Sequence, residues 1–229
     1  MGKMALGYGS EFHLLRFMGR HRKTLDKAIQ DVLSMNDKID WLDFPYNNTL
    51  KEYDKEYIGI NFLEKQQDYN QTEEEWGKFW PNKTKAMNWD AVGRIGDQWL
   101  LVEAKAHAGE LKSDSKAGIK SRIAIQDKFI DLGTEKGIDT TGWLKKYYQK
   151  ANRLLFLDFL QTQGLDVKMI FIYFLNGYEI DTKKNMKTIA EWEESIKKQD
   201  KYLNISNNAW VKQNVINVFI DTRWKRVVK

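Results

Sequence analysis

The chain has 229 residues, 42% of them hydrophobic, and it carries 37 basic and 32 acidic residues for a net charge of +5. This length can build one sizeable core, and the absence of cysteine excludes disulfides and cysteine-based zinc sites. No apolar run reaches the roughly 20 residues of a membrane span, and none before Ser10 has the length of a secretory signal. We therefore expect a cytoplasmic protein, and its mild basic excess is compatible with a nucleic-acid partner without proving one.

The hydrophobic periodicity predicts helices in the first third of the chain and a mixture of helices and strands after it. Predicted helices cover residues 11–22, 24–35, 72–80, 116–130, 142–163 and 187–202. Ser10 would cap the first of these helices and Thr72 the third. Predicted strands cover residues 57–62, a hairpin over 86–106, 167–174 and 215–220, and residues 36–48 form a connection.

This order of elements predicts an α/β fold, in which a central mixed β-sheet includes an antiparallel hairpin and is flanked by helices on both faces. We expect a single domain over residues 1–229. Its parts would be a helical N-terminal part over 1–85, a core motif region over 86–175, and a C-terminal helix and strand over 176–229.

The hairpin is the most informative segment, because Gly96-Asp97 is a typical two-residue turn between antiparallel strands. If these two residues form the turn, Asp90 lies opposite Glu103 and Asn88 lies opposite Lys105. The other face is then wholly apolar and is formed by Met87, Trp89, Ala91, Gly93, Leu100, Val102, Ala104 and Ala106. Such a face specifies the register strongly, because a slip of one residue would bury the charges.

Two directly opposed carboxylates repel each other and weaken the strand pairing. A protein keeps such a pair most readily when a cation lies between them, and hard oxygen ligands suit Mg²⁺ or Mn²⁺. Lys105 would add a positive charge beside that cation. The alternative is a solvated face with incidental charges, but the neighbouring Val92 and Leu101 indicate that this face is partly covered.

Asp90, followed at strand spacing by Glu103-Ala104-Lys105, resembles the core of the PD-(D/E)XK nuclease superfamily, which has the restriction-endonuclease-like fold. Other acid-x-Lys triplets occur, and Asp166-Val167-Lys168 even opens a strand, but it has no upstream hairpin partner that carries an acid. The proline that precedes the aspartate in the family is replaced by Trp89.

The resemblance implies a nuclease that depends on Mg²⁺ or Mn²⁺. Asp90 and Glu103 would ligate the metal together with the backbone carbonyl of Ala104, and Lys105 would position or activate the attacking water with a pKa lowered by the nearby cation. Related nucleases often carry an acid on the first helix that reaches the metal. Glu11 is the candidate here, and its alternative role is a favourable interaction with the helix dipole.

Five further residues are candidates for supporting roles. His107 continues the strand face of Glu103 and Lys105 and would act as a hydrogen-bonding neighbour. Gln149 and Arg153 share one face of the helix over 142–163, and Tyr148 and Asn152 share the next, so that this polar half would approach the acids. Ordinary surface polarity is the alternative. We expect Glu110 to be a surface acid, and His13 and His21 to be packing or surface residues.

The leading hypothesis is metal-dependent hydrolysis of phosphodiester bonds in nucleic acid, DNA more than RNA. A non-catalytic nucleic-acid-binding or structural protein that retains the nuclease fold is the second, and a small-molecule or sugar-binding α/β protein is the third. No base-reading motif and no G-x-x-x-x-G-K-[ST] loop occurs in the sequence. Sequence specificity, endonuclease or exonuclease action, biological role and oligomeric state therefore stay open.

Overall fold

A computed structural model describes residues 9–43, 46–47, 53–54, 56–66, 69–81, 86–178 and 185–223. The helices in these ranges are α1 Ser10–Gly19, α2 Arg22–Leu33, α3 Tyr69–Phe79, α4 Ile119–Lys136, α5 Tyr148–Thr162, α6 Ile189–Tyr202 and α7 Ala209–Asn214. The strands are β1 Asp40–Trp41, β2 Tyr46–Asn47, β3 Tyr53–Asp54, β4 Tyr57–Ile58, β5 Asn88–Trp89, β6 Ala91–Ile95, β7 Gln98–Lys105, β8 Val167–Leu175 and β9 Val215–Asp221. Within the described ranges, short 3₁₀ turns cover Asn61–Leu63 and Ala108–Leu111.

The central sheet has five strands in the order β1-β6-β7-β8-β9. Strands β1, β6 and β7 pair in antiparallel fashion, whereas β7, β8 and β9 run parallel, with Glu103 beside Phe171 and Lys105 beside Tyr173. Two separate pairs, β2 with β3 and β4 with β5, lie outside this sheet. The predicted α/β class with a mixed central sheet and flanking helices is confirmed.

The sheet separates two apolar layers, because its strands are β-branched and aromatic on both faces. The layer that contains α1 and α2 includes Leu14, Phe17, Leu25, Ile29, Ala91, Leu100, Val102, Ala104, Ile170 and Ile172. The opposite layer contains α3, α4, α5 and α6 and includes Trp76, Trp89, Val92, Leu101, Phe129, Phe156, Phe171 and Trp192. Helix α5 is buried on nearly every side between residues 150 and 160. None of the described helices is long and apolar enough to cross a membrane.

The two largest differences between the predicted and observed helix boundaries are at the start of α5 and at the end of α4. The predicted helix over 142–163 begins only at Tyr148, after Gly142 with φ +82° and Lys146 with φ +58°. Between them, the buried Trp143 donates its indole N–H to the carbonyl of Leu203 at 3.0 Å. At the other boundary, α4 continues past residue 130 to Lys136, where a left-handed glycine ends it.

Short elements account for the remaining differences. Helix α3 begins at Tyr69, so Thr72 is not its cap but a buried residue inside it. The predicted strand over 57–62 shortens to β4 and is followed by a 3₁₀ turn. Strand β1 lies in the predicted connection, whose Pro45 falls outside the described residues. A two-residue edge strand is too short to produce an alternating pattern, and for this reason the sequence does not reveal it.

Candidate functional site

Strands β6 and β7 form the predicted hairpin around Gly96, which has φ +56°. Their pairing runs from Ile95 opposite Gln98 to Ala91 opposite Val102, as predicted for a turn at Gly96-Asp97. The pattern changes at Asp90, whose backbone N–H donates to the carbonyl of Val102 at 3.1 Å. Two residues of one strand therefore face one residue of the other, which is a β-bulge.

The bulge corrects the predicted pairing of the charged residues. Asp90 is not the direct cross-strand partner of Glu103, and Asn88 is not opposite Lys105. Instead, the ladder of β6 ends at Ala91, and Asn88 pairs with Ile58 of β4. An extra residue is unpaired at a bulge, so the strict two-residue spacing assumed for the prediction does not hold beyond it.

The bulge also reverses the alternation of side chains upstream of it. Met87 and Trp89 belong to the apolar layer of Val92, and not to the layer of Ala91 as predicted. Trp89 is fully buried there, and the guanidinium of Arg153 lies 4.8 Å from the centre of its ring. The indole ring of Trp89 therefore packs against the guanidinium group that binds Glu103.

Asp90 closes the open edge of β7 with its carboxylate. Its Oδ2 accepts the backbone N–H of Ala104 at 2.7 Å. The N–H and C=O of one residue in an extended strand point to the same side, so the carbonyl of Ala104 lies on this edge too. Within the described ranges, no hydrogen bond reaches Oδ1 of Asp90. Burial and the nearby carboxylate of Glu103 raise the pKa of Asp90 to about 8.

Glu103 is 2% exposed and its carboxylate is fully hydrogen-bonded. Oε1 accepts from the ammonium of Lys105 and from the amide of Gln149 at 2.7 Å. Oε2 accepts from Nε and Nη2 of Arg153 at 3.0 and 2.8 Å. Burial alone would raise the pKa of Glu103, but the two cations outweigh it and the pKa is lowered. Glu103 is therefore an ionised centre held by three side chains.

Lys105 is 6% exposed, and its ammonium donates a hydrogen bond to Glu103. Burial lowers the pKa of this ammonium, whereas the carboxylates of Glu103, Asp90 and Glu110 raise it, and the net shift is upward. The resemblance to the nuclease superfamily implies a lowered pKa for Lys105 near a metal cation. In the arrangement of these side chains the shift has the opposite direction, so Lys105 is a fixed positive charge.

Helix α5 brings two of its four candidate residues to the acids. Gln149 and Arg153 both contact Glu103, and Arg153 also donates to the carbonyl of Asn88 at 2.8 Å. Tyr148 and Asn152 lie on the next face and line a neighbouring cavity. The four-residue spacing grouped these residues by helix face but did not say which pair reaches Glu103, and the helix begins six residues later than predicted.

His107 lies beyond the end of β7, where it caps the 3₁₀ turn Ala108–Leu111. Its Nδ1 accepts the backbone N–H of Gly109 at 3.0 Å, and its ring centre is 4.3 Å from that of Tyr178. The structure therefore assigns His107 to the turn, away from the strand face on which it was predicted.

Glu110 lies in the same turn and is not the surface acid that we expected. Its carboxylate accepts the backbone N–H of Ala106 at 2.6 Å and the hydroxyl of Ser10 at 3.4 Å. It is also one of the carboxylates that raise the pKa of Lys105. The spacing of strand residues gave no signal for it, because the chain leaves the strand before Glu110.

Glu56 is a second acid that the sequence analysis missed, since its segment has no clear periodicity. It accepts the side-chain amide of Asn88 at 2.8 Å and contributes to the raised pKa of Asp90. Glu11 is exposed as a residue. Partial burial of its carboxyl group and the carboxylate of Glu56 nevertheless raise the pKa of Glu11. The negative charge of Glu56 therefore acts on the carboxyl groups of both Glu11 and Asp90.

The donors at the bulge match a hard cation in chemical type. Asp90 offers a carboxylate oxygen without a hydrogen bond from the described residues, on the same edge as the carbonyl of Ala104. Burial and then the charge of Glu103 raise the pKa of Asp90, and a cation would offset that negative charge. Glu103 would have to exchange a hydrogen bond in order to ligate. In the part of the chain that the structure describes, no group of three His, Cys, Asp or Glu residues forms a ready metal cluster.

Comparison with known proteins finds no match to this chain, neither among family models nor among curated proteins or solved structures.

Proposed function

We propose that this chain is a metal-dependent nuclease that hydrolyses phosphodiester bonds in nucleic acid, with DNA as the preferred substrate. The observation that supports it is that Asp90, Glu103 and Lys105 lie together near the β-bulge. Their order and spacing in the sequence resemble the core motif of the PD-(D/E)XK superfamily. The mixed sheet between helices is compatible with the restriction-endonuclease-like fold of that superfamily.

In this proposal Asp90 and the carbonyl of Ala104 hold Mg²⁺ or Mn²⁺, and Glu103 joins them. The cation would supply Lewis-acid polarisation of the phosphate and a lowered pKa for the attacking water. Arg153 and Gln149 orient Glu103 from the side of α5, which keeps its carboxylate beside the cation site.

Lys105 contributes a positive charge at the position where negative charge develops on the phosphate. Its raised pKa favours an ammonium that orients water and offsets charge, and disfavours a neutral amine that takes a proton. Because the side chain is held by Glu103, this charge needs no rearrangement when the substrate arrives.

The second candidate is a non-catalytic nucleic-acid-binding or structural protein that retains the fold. The four hydrogen bonds of the Glu103 carboxylate favour it, since a carboxylate has about four acceptor sites and all are engaged. The two candidates differ in one property, because only a working site releases one of these bonds to a cation.

The test compares two lysines that occupy neighbouring strands and both belong to acid-x-Lys triplets. Lys105→Ala should reduce cleavage of DNA in Mg²⁺ or Mn²⁺ by about 10²–10³-fold while binding of DNA in EDTA changes little. Lys168→Ala is the matched control, because Lys168 contacts Gln213 and Asn214, away from the acids, and it should cleave like the wild type.

Equal activity of both variants would refute the nuclease proposal, as would wild-type protein that neither cleaves single-stranded or duplex DNA nor gains thermal stability with Mn²⁺. A gain with Mn²⁺ that disappears in Asp90→Asn would identify the cation site independently of cleavage, through the linkage between binding and folding. DNA binding without a Mn²⁺ gain would favour the non-catalytic candidate.

A further inference from the structure

A cavity of about 400 Å³ lies beside the acids, between α3, α4 and α5. Its apolar walls include Trp80, Met87 and Ile125, and its polar wall includes Ser121, Asn152 and Arg153. The volume falls in the range of pockets that bind small organic ligands, and the combination of apolar walls with a few polar groups is typical of them. Arg153 belongs both to this wall and to the contacts of Glu103, so the cavity adjoins the candidate hydrolytic site.

The N-terminus of α4 forms one wall of the cavity. Gly118 is its N-cap and provides no side-chain hydrogen bond, so the first-turn N–H groups of this 18-residue helix have no cap from that residue. Lys116 and Ser121 line the cavity at the same place, and Ser121 is the third residue of the helix. Free N–H groups, the positive end of the helix dipole and a lysine together favour an anion such as phosphate.

A buried amide provides independent evidence for a ligand. Asn152 lines the cavity and is 6% exposed, and its Oδ1 has no hydrogen-bond partner among the described residues. Buried polar groups in proteins are nearly always paired, and an exception calls for an explanation. Oδ1 itself is enclosed, so a ligand in the cavity would pair with this amide through its Nδ2 or after a rotation of the side chain.

We propose that this cavity binds one unstacked nucleotide of the substrate strand, with its phosphate at the N-terminus of α4 and its base between the apolar walls and Asn152. This inference rests on the proposed nuclease function and narrows its substrate to single-stranded or locally opened nucleic acid. A base inside a duplex is stacked and paired, so it must leave the stack before it can enter a cavity of this kind.

The experiment uses the full chain in EDTA and measures calorimetric binding of thymidine monophosphate, inorganic phosphate and ribose 5-phosphate. We expect one nucleotide per chain, bound more tightly than the two ligands that have no base. Ser121→Asp should weaken nucleotide binding about tenfold or more, because it places a carboxylate beside the phosphate. The same change favours the helix, since acids in the first turn stabilise it, so a loss of folding does not explain the result.

Ser206→Asp is the matched charge control, because Ser206 is exposed and does not line the cavity, and it should bind thymidine monophosphate like the wild type. Asn152→Ala should weaken the nucleotide while leaving the weak binding of inorganic phosphate unchanged. The proposal is overturned if the wild type does not bind the nucleotide, if the base adds nothing to the affinity, or if Ser121→Asp binds as well as Ser206→Asp.

The two proposals fail in different ways. A protein that cleaves duplex DNA in a Lys105-dependent manner, but binds no mononucleotide, would refute the nucleotide cavity and leave the nuclease function standing. Mononucleotide binding in EDTA that depends on Ser121, in a protein without Lys105-dependent cleavage, would support the cavity and refute the hydrolytic function.

Discussion

The two faces of strand β7 differ in how their buried side chains are satisfied. On one face Leu100, Val102 and Ala104 enter an aliphatic layer with α1 and α2, where non-directional packing is the dominant force. On the other face Glu103 and Lys105 are also buried, but they depend on each other and on specific partners from α5. Neighbouring residues of one strand are thus stabilised by different physics.

This difference predicts the largest stability effect at Glu103. Glu103→Gln should lower the free energy of unfolding by about 3–5 kcal/mol, because it leaves the buried cations Lys105 and Arg153 without their counter-charge. Urea unfolding at neutral pH measures the change. The control is Asp97→Asn, which breaks an exposed ion pair of 2.7 Å with Arg94 and should cost less than about 1 kcal/mol. If Glu103→Gln and Asp97→Asn lowered the free energy of unfolding by similar amounts, the polar face would not depend on its buried ion pairs as described.

The aliphatic face predicts a comparable but mechanistically distinct effect. Leu100→Ala should cost about 2–5 kcal/mol, because Leu100 is fully buried and its truncation leaves a cavity. Any thermal gain with Mn²⁺ that the wild type shows should persist in this variant and should disappear in Glu103→Gln. If Leu100→Ala also abolished the Mn²⁺ gain, the two faces would be coupled and the separation described above would be wrong.

The same contrast explains how far the sequence predicts the structure. Turn chemistry at Gly96-Asp97 identified the hairpin, and β-branched and aromatic content identified strands β8 and β9. The apolar pattern identified the helix that carries Gln149 and Arg153. The bulge at Asp90 was not predicted, since one inserted residue leaves no compositional signal.

Contacts between distant segments were harder still to predict. Glu103 meets Arg153 across 50 residues, and Glu56 meets Asn88 across 32, so neither partner follows from local spacing. The Gln149 and Arg153 pair is the exception, because both residues share one helix face and the helix had to cover the sheet. Glu110 was missed because its contact with Ala106 depends on a turn and not on a strand.

His13 is a buried polar residue on the aliphatic side of the sheet, and its pKa predicts that the free energy of unfolding depends on pH. Its ring lies 5.5 Å from that of Phe174, and burial and the charge of Arg16 lower the pKa of His13 to about 4. Between pH 6.5 and 4 the unfolded chain binds the additional proton, so the free energy of unfolding falls as the pH falls, by at most about 3 kcal/mol.

His13→Gln should flatten this part of the pH profile, because glutamine retains hydrogen-bonding capacity but does not titrate. Chemical unfolding of both proteins at pH 4, 5, 6 and 7 gives the comparison. Parallel profiles for the variant and the wild type would show that His13 is protonated equally in the folded and unfolded states.

The sign of the stability change at Asp90 is diagnostic. The pKa of Asp90 is raised to about 8 by burial and Glu103, so its contribution to stability is fully present below its unfolded pKa and is lost as the pH rises through 8. Asp90→Asn resembles the protonated acid, and in EDTA it should be more stable than the wild type by at least about 1 kcal/mol at pH 8 and by less at pH 5.

An Asp90 that serves only as an acceptor for the N–H of Ala104 predicts the opposite sign, because an amide oxygen is a weaker acceptor than a carboxylate. Melting temperatures in EDTA at both pH values separate the two cases. Addition of Mn²⁺ should then reverse the order at pH 8, since only the wild type retains the carboxylate that favours the cation. If the variant melted below the wild type in EDTA and Mn²⁺ raised the melting temperature of neither protein, Asp90 would have a purely structural role. The cation site would then have no basis.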